Sequence, residues 1–261
     1  MSRPLDLVLF AAGREAAAAA IAAGIDGLIV DLEHTGKQRR QEGAGTEING
    51  HHPADLDHGR ELGARLRYCR LEGPDFWRDG EVEEVLERGA THLLLPMVEN
   101  AAQVEKLLAR VAGRAAVGIL VETVAAVAAV RQLAALPIYG AFVGLNDLAI
   151  ERRSKSLFAA LADGTVERVS EAFAGRELGF AGVTAIDCGE PLPARLLIAE
   201  MARLEATFAF LRRSFRRDLV GRDMAHEVSR LREAWSALRR RGPEEVERDR
   251  RELAARLAEL C

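Results

Sequence analysis

Short apolar runs rich in β-formers recur along the chain at Leu5–Phe10, Gly27–Asp31, Arg65–Arg70, His92–Pro96, Ala116–Val121, Tyr139–Val143, Phe180–Ile186 and Thr207–Leu211. Between them lie stretches with the three-and-four spacing of amphipathic helices: Arg14–Ala23, Ala54–Leu62, Glu81–Arg88, Ala101–Val111, Val124–Leu133, Leu157–Ala174 and Ala194–Leu204. Strand–helix alternation calls for parallel strands joined by crossover helices. Eight such strands predict a closed (β/α)8 barrel of the TIM type over residues 1–222. The competing architecture is an open doubly wound sheet, which carries a glycine-rich phosphate turn after its first strand. The sequence there is FAAGREA, which does not match that turn.

Two segments interrupt the alternation. Lys37–Asp57 is a long polar insertion after the second strand, rich in Gly, Gln and His; a loop of that length in a compact domain is either an active-site cover or disordered. The tail, residues 223–261, is helical and highly charged, and Gly242–Pro243 predicts a split into two helices. Leu231, Trp235 and Leu238 share one face, as do Leu253, Leu257 and Leu260. Such a stripe requires a partner, either the barrel wall or another subunit, and a homo-oligomer joined through these helices is expected.

Bulk properties narrow the class. The 261 residues fit a single α/β barrel. A net charge of −4 gives no bulk attraction to nucleic acid. The alanine-rich run Ala16–Ala23 is too short and too weakly apolar to span a bilayer, so no membrane partner is expected. Cys69, Cys188 and Cys261 are odd in number and widely spaced, which points to a reducing, cytoplasmic setting rather than a disulfide framework.

Catalytic groups of parallel barrels sit where strands end. The second strand runs into Asp31, Glu33 and His34, and the third ends at Arg70. The fourth leads to Glu99, the fifth ends at Glu122 and the sixth leads to Asn146 and Asp147. The seventh ends at Asp187, and the eighth is followed by Arg212, Arg213, Arg216 and Arg217. Carboxylates after several successive strands would converge on one mouth and repel one another unless a cation lay among them. Oxygen donors without a Cys or His cluster suit a hard ion, Mg²⁺ or Mn²⁺.

The segments VDLEHTGK, RYCRLEG, LLLPMVEN, ILVETVAAV and FVGLNDLA, in that order and spacing, resemble the HpcH/HpaI aldolase and citrate lyase β-subunit family of the pyruvate/phosphoenolpyruvate barrel superfamily. The resemblance is good over residues 5–150 and only general beyond. It implies that Glu122 and Asp147 hold the divalent metal and that Arg70 binds the carboxylate of pyruvate or a similar 2-keto acid. It implies further that His34 moves protons, and that Asp31 and Glu33 support the metal water and that histidine. The short Asn100–Ala115 segment looks like the citrate lyase branch, whereas His34 looks like the aldolase branch. The insertion and the cluster Arg212–Arg217 have no counterpart in the family pattern.

Each residue also has a plainer role. Glu122 can be an acid that favours a helix N-terminus, and Asp147 a helix cap. His34 can be a solvated loop residue, and Arg70 a partner for a structural acid. Glu99 can stand at the mouth as a substrate contact or simply face water. Arg212 and Arg213 either begin a solvated helix or bind a phosphate or second carboxylate. His51, His52 and His58 match no metal-ligand spacing and read as a polar loop; Cys188 shows no base beside it, and Trp77 reads as packing. The resulting expectation is a class II type carbon–carbon lyase acting through a pyruvate-like enolate. The alternatives are a citrate-lyase-like enzyme acting on a hydroxyacyl thioester, a phosphoenolpyruvate-using enzyme, and a non-catalytic barrel serving as a scaffold.

Overall fold

The computed structural model describes residues 3–35, 37, 50–211 and 213–260, with only the backbone for Arg213. In chain order the elements are β1 (Asp6–Phe10), α1 (Arg14–Ala22), β2 (Gly27–Asp31), α2 (Asp55–Glu61), β3 (Leu66–Arg70), α3 (Glu81–Glu87), β4 (His92–Leu95), α4 (Ala101–Val111), β5 (Ala116–Val121), α5 (Val124–Ala128), α6 (Val130–Ala134) and β6 (Gly140–Val143). They continue with α7 (Leu145–Glu151), α8 (Ala159–Ala162), α9 (Thr165–Ala172), β7 (Glu177–Phe180), β8 (Gly182–Val183), α10 (Ala194–Arg203), β9 (Phe208–Leu211), α11 (Arg213–Asp218), α12 (Met224–Leu238) and α13 (Pro243–Leu260).

The strands form one parallel sheet in the order β7-β6-β5-β4-β3-β2-β1-β9-β8. β7 and β8 are two halves of one stave, broken at Ala181, whose φ is 55°. β7 pairs with β6, and β8 pairs with β9. The two sheet edges also meet directly, since the Thr207 N–H donates to the Leu178 carbonyl at 2.8 Å and the Leu178 N–H donates to Thr207 Oγ1 at 2.9 Å. The result is the expected eight-stave barrel. The sequence pattern placed the seventh stave at Phe180–Ile186; the structure shifts it toward the N-terminus, because Glu177–Phe180 supplies the pairing edge for β6.

Alternate residues of each strand face inward. Val8, Ile29, Leu66, Tyr68, Leu94, Leu120, Phe142, Phe208 and Phe210 fill the barrel interior. The rings of Phe142, Phe208 and Phe210 lie with centroids 4.3–5.9 Å apart. Room for aromatic bulk is made at Gly118, where an added Cβ would fall 2.9 Å from Tyr139 Cζ. A second, larger apolar layer joins the outer strand faces to the helices.

Two long helices read from the sequence are broken. Val124–Leu133 divides at Ala129, and Leu157–Ala174 divides at Asp163–Gly164, where Gly164 takes φ 74°. The tail splits at Pro243 as the sequence predicts, and the Asp223 side chain accepts from the His226 N–H to cap α12. Val228, Leu231, Trp235, Leu253 and Leu257 are buried in the same core as α10. Within the chain, the barrel wall therefore covers these residues of the apolar stripe, while Leu238 and Leu260 are only partly buried. No helix among the described residues is long and apolar enough to cross a membrane.

An ion cluster fastens the tail to α10. Arg241 and Asp249 are paired, with side chains 7% exposed on each side, and Asp249 also accepts from Arg195 at 2.9 Å. Asp249→Ala would leave the buried Arg241 guanidinium without its counter-charge and is expected to destabilise the fold by about 3 kcal/mol. Arg195→Ala removes only a half-exposed partner and is expected to cost less than about 1 kcal/mol. Urea unfolding of the two variants reads the difference, and equal losses would refute this account.

Candidate active site

The parallel register sets Asp31 of β2 beside Arg70 of β3. Both continue the inward-facing set begun by Ile29 and Tyr68, so both reach the mouth at the C-terminal ends of the strands. Asp31 is fully buried. Arg70 Nε and Nη2 donate to its two carboxylate oxygens at 2.7 Å each, a bidentate fork. Arg70 Nη1 lies 3.4 Å from Glu33 Oε2. Burial works against the guanidinium charge, but Asp31, Glu33 and Glu122 outweigh it and hold Arg70 charged. Asp31 is also gripped from the insertion side. Lys37 Nζ donates to Asp31 Oδ2 at 3.1 Å, and the Asp31 N–H donates to His51 Nδ1 at 2.9 Å.

The loop after β2 is tied to the loop after β3 through Glu72. Its carboxylate accepts from the N–H groups of His34 (3.1 Å) and Thr35 (3.2 Å) and from the Thr35 hydroxyl (3.1 Å). Glu72 is held in turn by its own N–H donating to the buried Glu81 carboxylate at 3.0 Å. His34 itself is half-exposed. Its Nδ1 lies 2.8 Å from the Leu32 carbonyl. A carbonyl only accepts, so Nδ1 carries the hydrogen and Nε2 is the nitrogen that can take up a proton.

Across the mouth, Glu122 follows β5 and Asp147 sits in the first turn of α7. Both are buried. Met97, in the left-handed region at φ 51°, turns its N–H toward Glu122 and donates to Oε1 at 3.0 Å. Gly144 makes space on the other side: an added Cβ would lie 2.7 Å from Glu122 Cβ and would collide with Oε2. Burial, then the charges of Asp147 and Glu33, push the Glu122 carboxyl up to about 8, against the pull of Arg70 and the Met97 N–H. Asp147 does not cap α7, since Gly144 holds the N-cap position.

The donor set fits a hard divalent cation. The Asp147 charge raises the proton affinity of the buried Glu122 carboxyl, and a cation between the two would remove that repulsion. Among the described residues, no three His, Cys, Asp or Glu side chains come together as a ready metal cage. Mg²⁺ commonly takes one or two carboxylates and leaves its other positions to water and substrate, so the pair Glu122 and Asp147 is sufficient.

The structure thus gathers Asp31, Glu33, His34, Arg70, Glu122 and Asp147 at one mouth. Glu99 is exposed, next to the Asn100 cap of α4. Asp187 is engaged elsewhere, by Arg222 at 2.8 Å and Arg230 at 3.3 Å, and Arg222 first among them holds its carboxyl down at about 2. Arg212 and the Arg213 side chain lie outside the described residues; Arg216 and Arg217 are exposed. The sequence reads His51 as part of a polar loop, but it is buried against Asp31, and burial first of all lowers its pKa despite the Asp31 and Asp55 charges. It also passed over Lys37, Glu72 and Glu81 as site residues. Glu72 stands within the RYCRLEG segment, two residues past Arg70, and that adjacency was the available signal. Trp77 packs as expected, with its Nε1 donating to the Glu72 carbonyl at 2.8 Å.

Known proteins bear on this geometry. A citrate lyase beta subunit from M. tuberculosis, solved with oxaloacetate and magnesium, superposes with a TM-score of 0.60 at 22% identity, covering 89% of this chain and 97% of that one. An HpcH/HpaI aldolase/citrate lyase family protein from Burkholderia cenocepacia J2315 gives 0.58 at 20% identity, covering 91% and 95%. The citrate synthase SbnG gives 0.63 at 16% identity, covering 88% and 94%. At these identities the likeness speaks for the fold. No curated protein sequence matches the chain significantly. Residues 6–157, more than half of the chain, match the HpcH/HpaI aldolase/citrate lyase family, and the chain belongs to that family.

Proposed function

We propose that this protein is a divalent-metal-dependent carbon–carbon lyase that breaks or forms a bond next to a 2-keto acid. The observation that carries the reading is the burial of Glu122 beside Asp147 and Glu33, facing Arg70. Family membership supports a lyase at the coarse level. The M. tuberculosis relative was solved with oxaloacetate, itself a 2-keto acid, and with magnesium.

A divalent cation held by Glu122 and Asp147 would supply Lewis-acid stabilisation of the charge that develops on the 2-keto oxygen. The chain's own groups do the rest. Asp31 takes Nε and one Nη2 hydrogen of Arg70 and so fixes the guanidinium plane. Of the remaining Nη hydrogens, those on Nη1 lie toward Glu33 at 3.4 Å, and this end of the guanidinium would receive a substrate carboxylate. His34, with its tautomer fixed through Leu32, can accept at Nε2 the proton of a substrate hydroxyl as the carbon–carbon bond breaks, and return it in the reverse direction. Glu72 keeps the His34 backbone in register with the β3 end.

With pyruvate and Mg²⁺ or Mn²⁺ in deuterated buffer, the protein is expected to exchange the methyl protons of pyruvate, as read by NMR. Glu122→Gln should abolish the exchange, and His34→Ala should slow proton transfer by about 10²-fold or more. Metal binding without any exchange would overturn the enolate reading, and absence of metal binding would overturn the lyase reading.

The raised Glu122 pKa has a definite sign. Its folded value lies above the unfolded one, so the folded chain binds the extra proton between about 4.5 and 8. Metal must displace that proton. Below about pH 8, apparent Mg²⁺ affinity should therefore fall by up to about tenfold per pH unit, and metal-free stability should decline as pH rises from about 4.5 to 8. Calorimetric titrations at pH 6, 7 and 8 check the first trend, and urea unfolding of the wild type against Glu122→Gln checks the second. A flat profile in both would contradict the assignment.

A further inference from the structure

Both described ends of the polar insertion close on a single residue. At the near end Lys37, 5% exposed, places Nζ 3.1 Å from Asp31 Oδ2. At the far end His51, 6% exposed, accepts the Asp31 N–H at 2.9 Å. Asp31 is the residue whose carboxylate fixes Arg70. The insertion is thus anchored to the support of the arginine that the proposed function assigns to the substrate.

Charge shows what this anchoring does. Arg70 forks onto Asp31, lies 3.4 Å from Glu33 and feels Glu122. One guanidinium matched to three carboxylates is a poor receptor for a fourth. An ammonium on Asp31 changes that, because it takes up part of the Asp31 charge and leaves more of the Arg70 charge for an incoming anion. Lys37 is nearly as buried as Asp31, so solvent screens the effect little. An ammonium also has three donors, and Asp31 Oδ2 uses one of them in the described contacts.

We propose that Lys37 is a positioning residue for substrate-anion binding, acting through Asp31 on Arg70, and that it tunes the site toward a carboxylate-bearing 2-keto acid. The inference rests on the lyase reading above. It gives a role to a lysine that begins an otherwise unexplained insertion.

The test uses the full chain loaded with Mg²⁺, with pyruvate and oxalate as calorimetric probes. Lys37→Met keeps the length and removes the charge; Lys37→Gln does the same with a polar end; Lys37→Arg keeps the charge. Met and Gln are expected to weaken oxalate and pyruvate binding about tenfold or more, while Mg²⁺ binding alone changes far less. Arg is expected to recover most of the lost affinity, and in turnover the loss should fall on KM rather than kcat. Wild-type affinity retained by Met or Gln would overturn the inference while leaving the lyase reading intact. Equal loss in all three variants with a common fall in Tm would also overturn it, since that pattern marks a purely structural lysine. If the wild type binds neither probe in the presence of Mg²⁺, the lyase reading fails and the inference falls with it.

Discussion

The Asp31–Arg70 fork is the interaction on which the mouth of this barrel depends. It joins two neighbouring strands at their C-terminal ends, in register, with two 2.7 Å bonds across a fully buried carboxylate. Neither partner would be stable alone at that depth, since an isolated buried charge is strongly unfavourable. Each therefore needs the other, and the pair in turn organises its surroundings. Leu32 and Glu33 follow directly from Asp31, the Leu32 N–H donates to the Arg70 carbonyl at 2.8 Å, and the Glu33 N–H donates back to Asp31 at 3.3 Å. Lys37 and His51 bring the insertion to the same point.

The opposite wall follows a different constraint, which is repulsion. Glu122, Asp147 and Glu33 crowd carboxylates into a space with little solvent, and the protein meets this in part with the Met97 N–H and Arg70. Space for the Glu122 carboxylate exists only because residue 144 has no side chain. A glycine there is thus part of the site although it carries no chemistry. The two walls are coupled through Arg70, which pairs with Asp31 on one side and attracts Glu122 on the other.

Below the mouth, the aromatic fill of the barrel provides a rigid floor. Tyr68 stacks on His92 at 4.6 Å between ring centroids, and Phe142 lies over Phe210 at 4.3 Å. Burial pushes His92 down to about 4, so it remains neutral through the physiological range and acts as packing. Polar function is in this way confined to the strand ends, while the layers beneath hold the strands at fixed height. That rigidity gives meaning to hydrogen bonds as short as those of the Asp31–Arg70 fork, because a shift of one strand would break both at once.

The sequence by itself determined the architecture and named much of the candidate site. Apolar runs of strand length alternating with helical spacing leave few folds open, and a strand period of two fixes which residues face inward. Asp31, Arg70 and Glu122 were legible for that reason: each stands at the end of a strand on the inward phase. Glu33, His34 and Asp147 were legible by their place just beyond. What the sequence could not decide were contacts between residues distant in the chain. His51 reads as a loop histidine until the fold brings it to the Asp31 N–H, and Lys37 reads only as the start of a polar insertion until it meets the Asp31 carboxylate. Glu99 and Asp187 stand at strand ends just as Glu122 does, yet one faces water and the other is taken by Arg222 and by Arg230 of the tail. The tail's apolar stripe announced a need for burial without naming what would bury it. Local periodicity fixes which face a side chain takes, whereas only the closed barrel decides what that face meets.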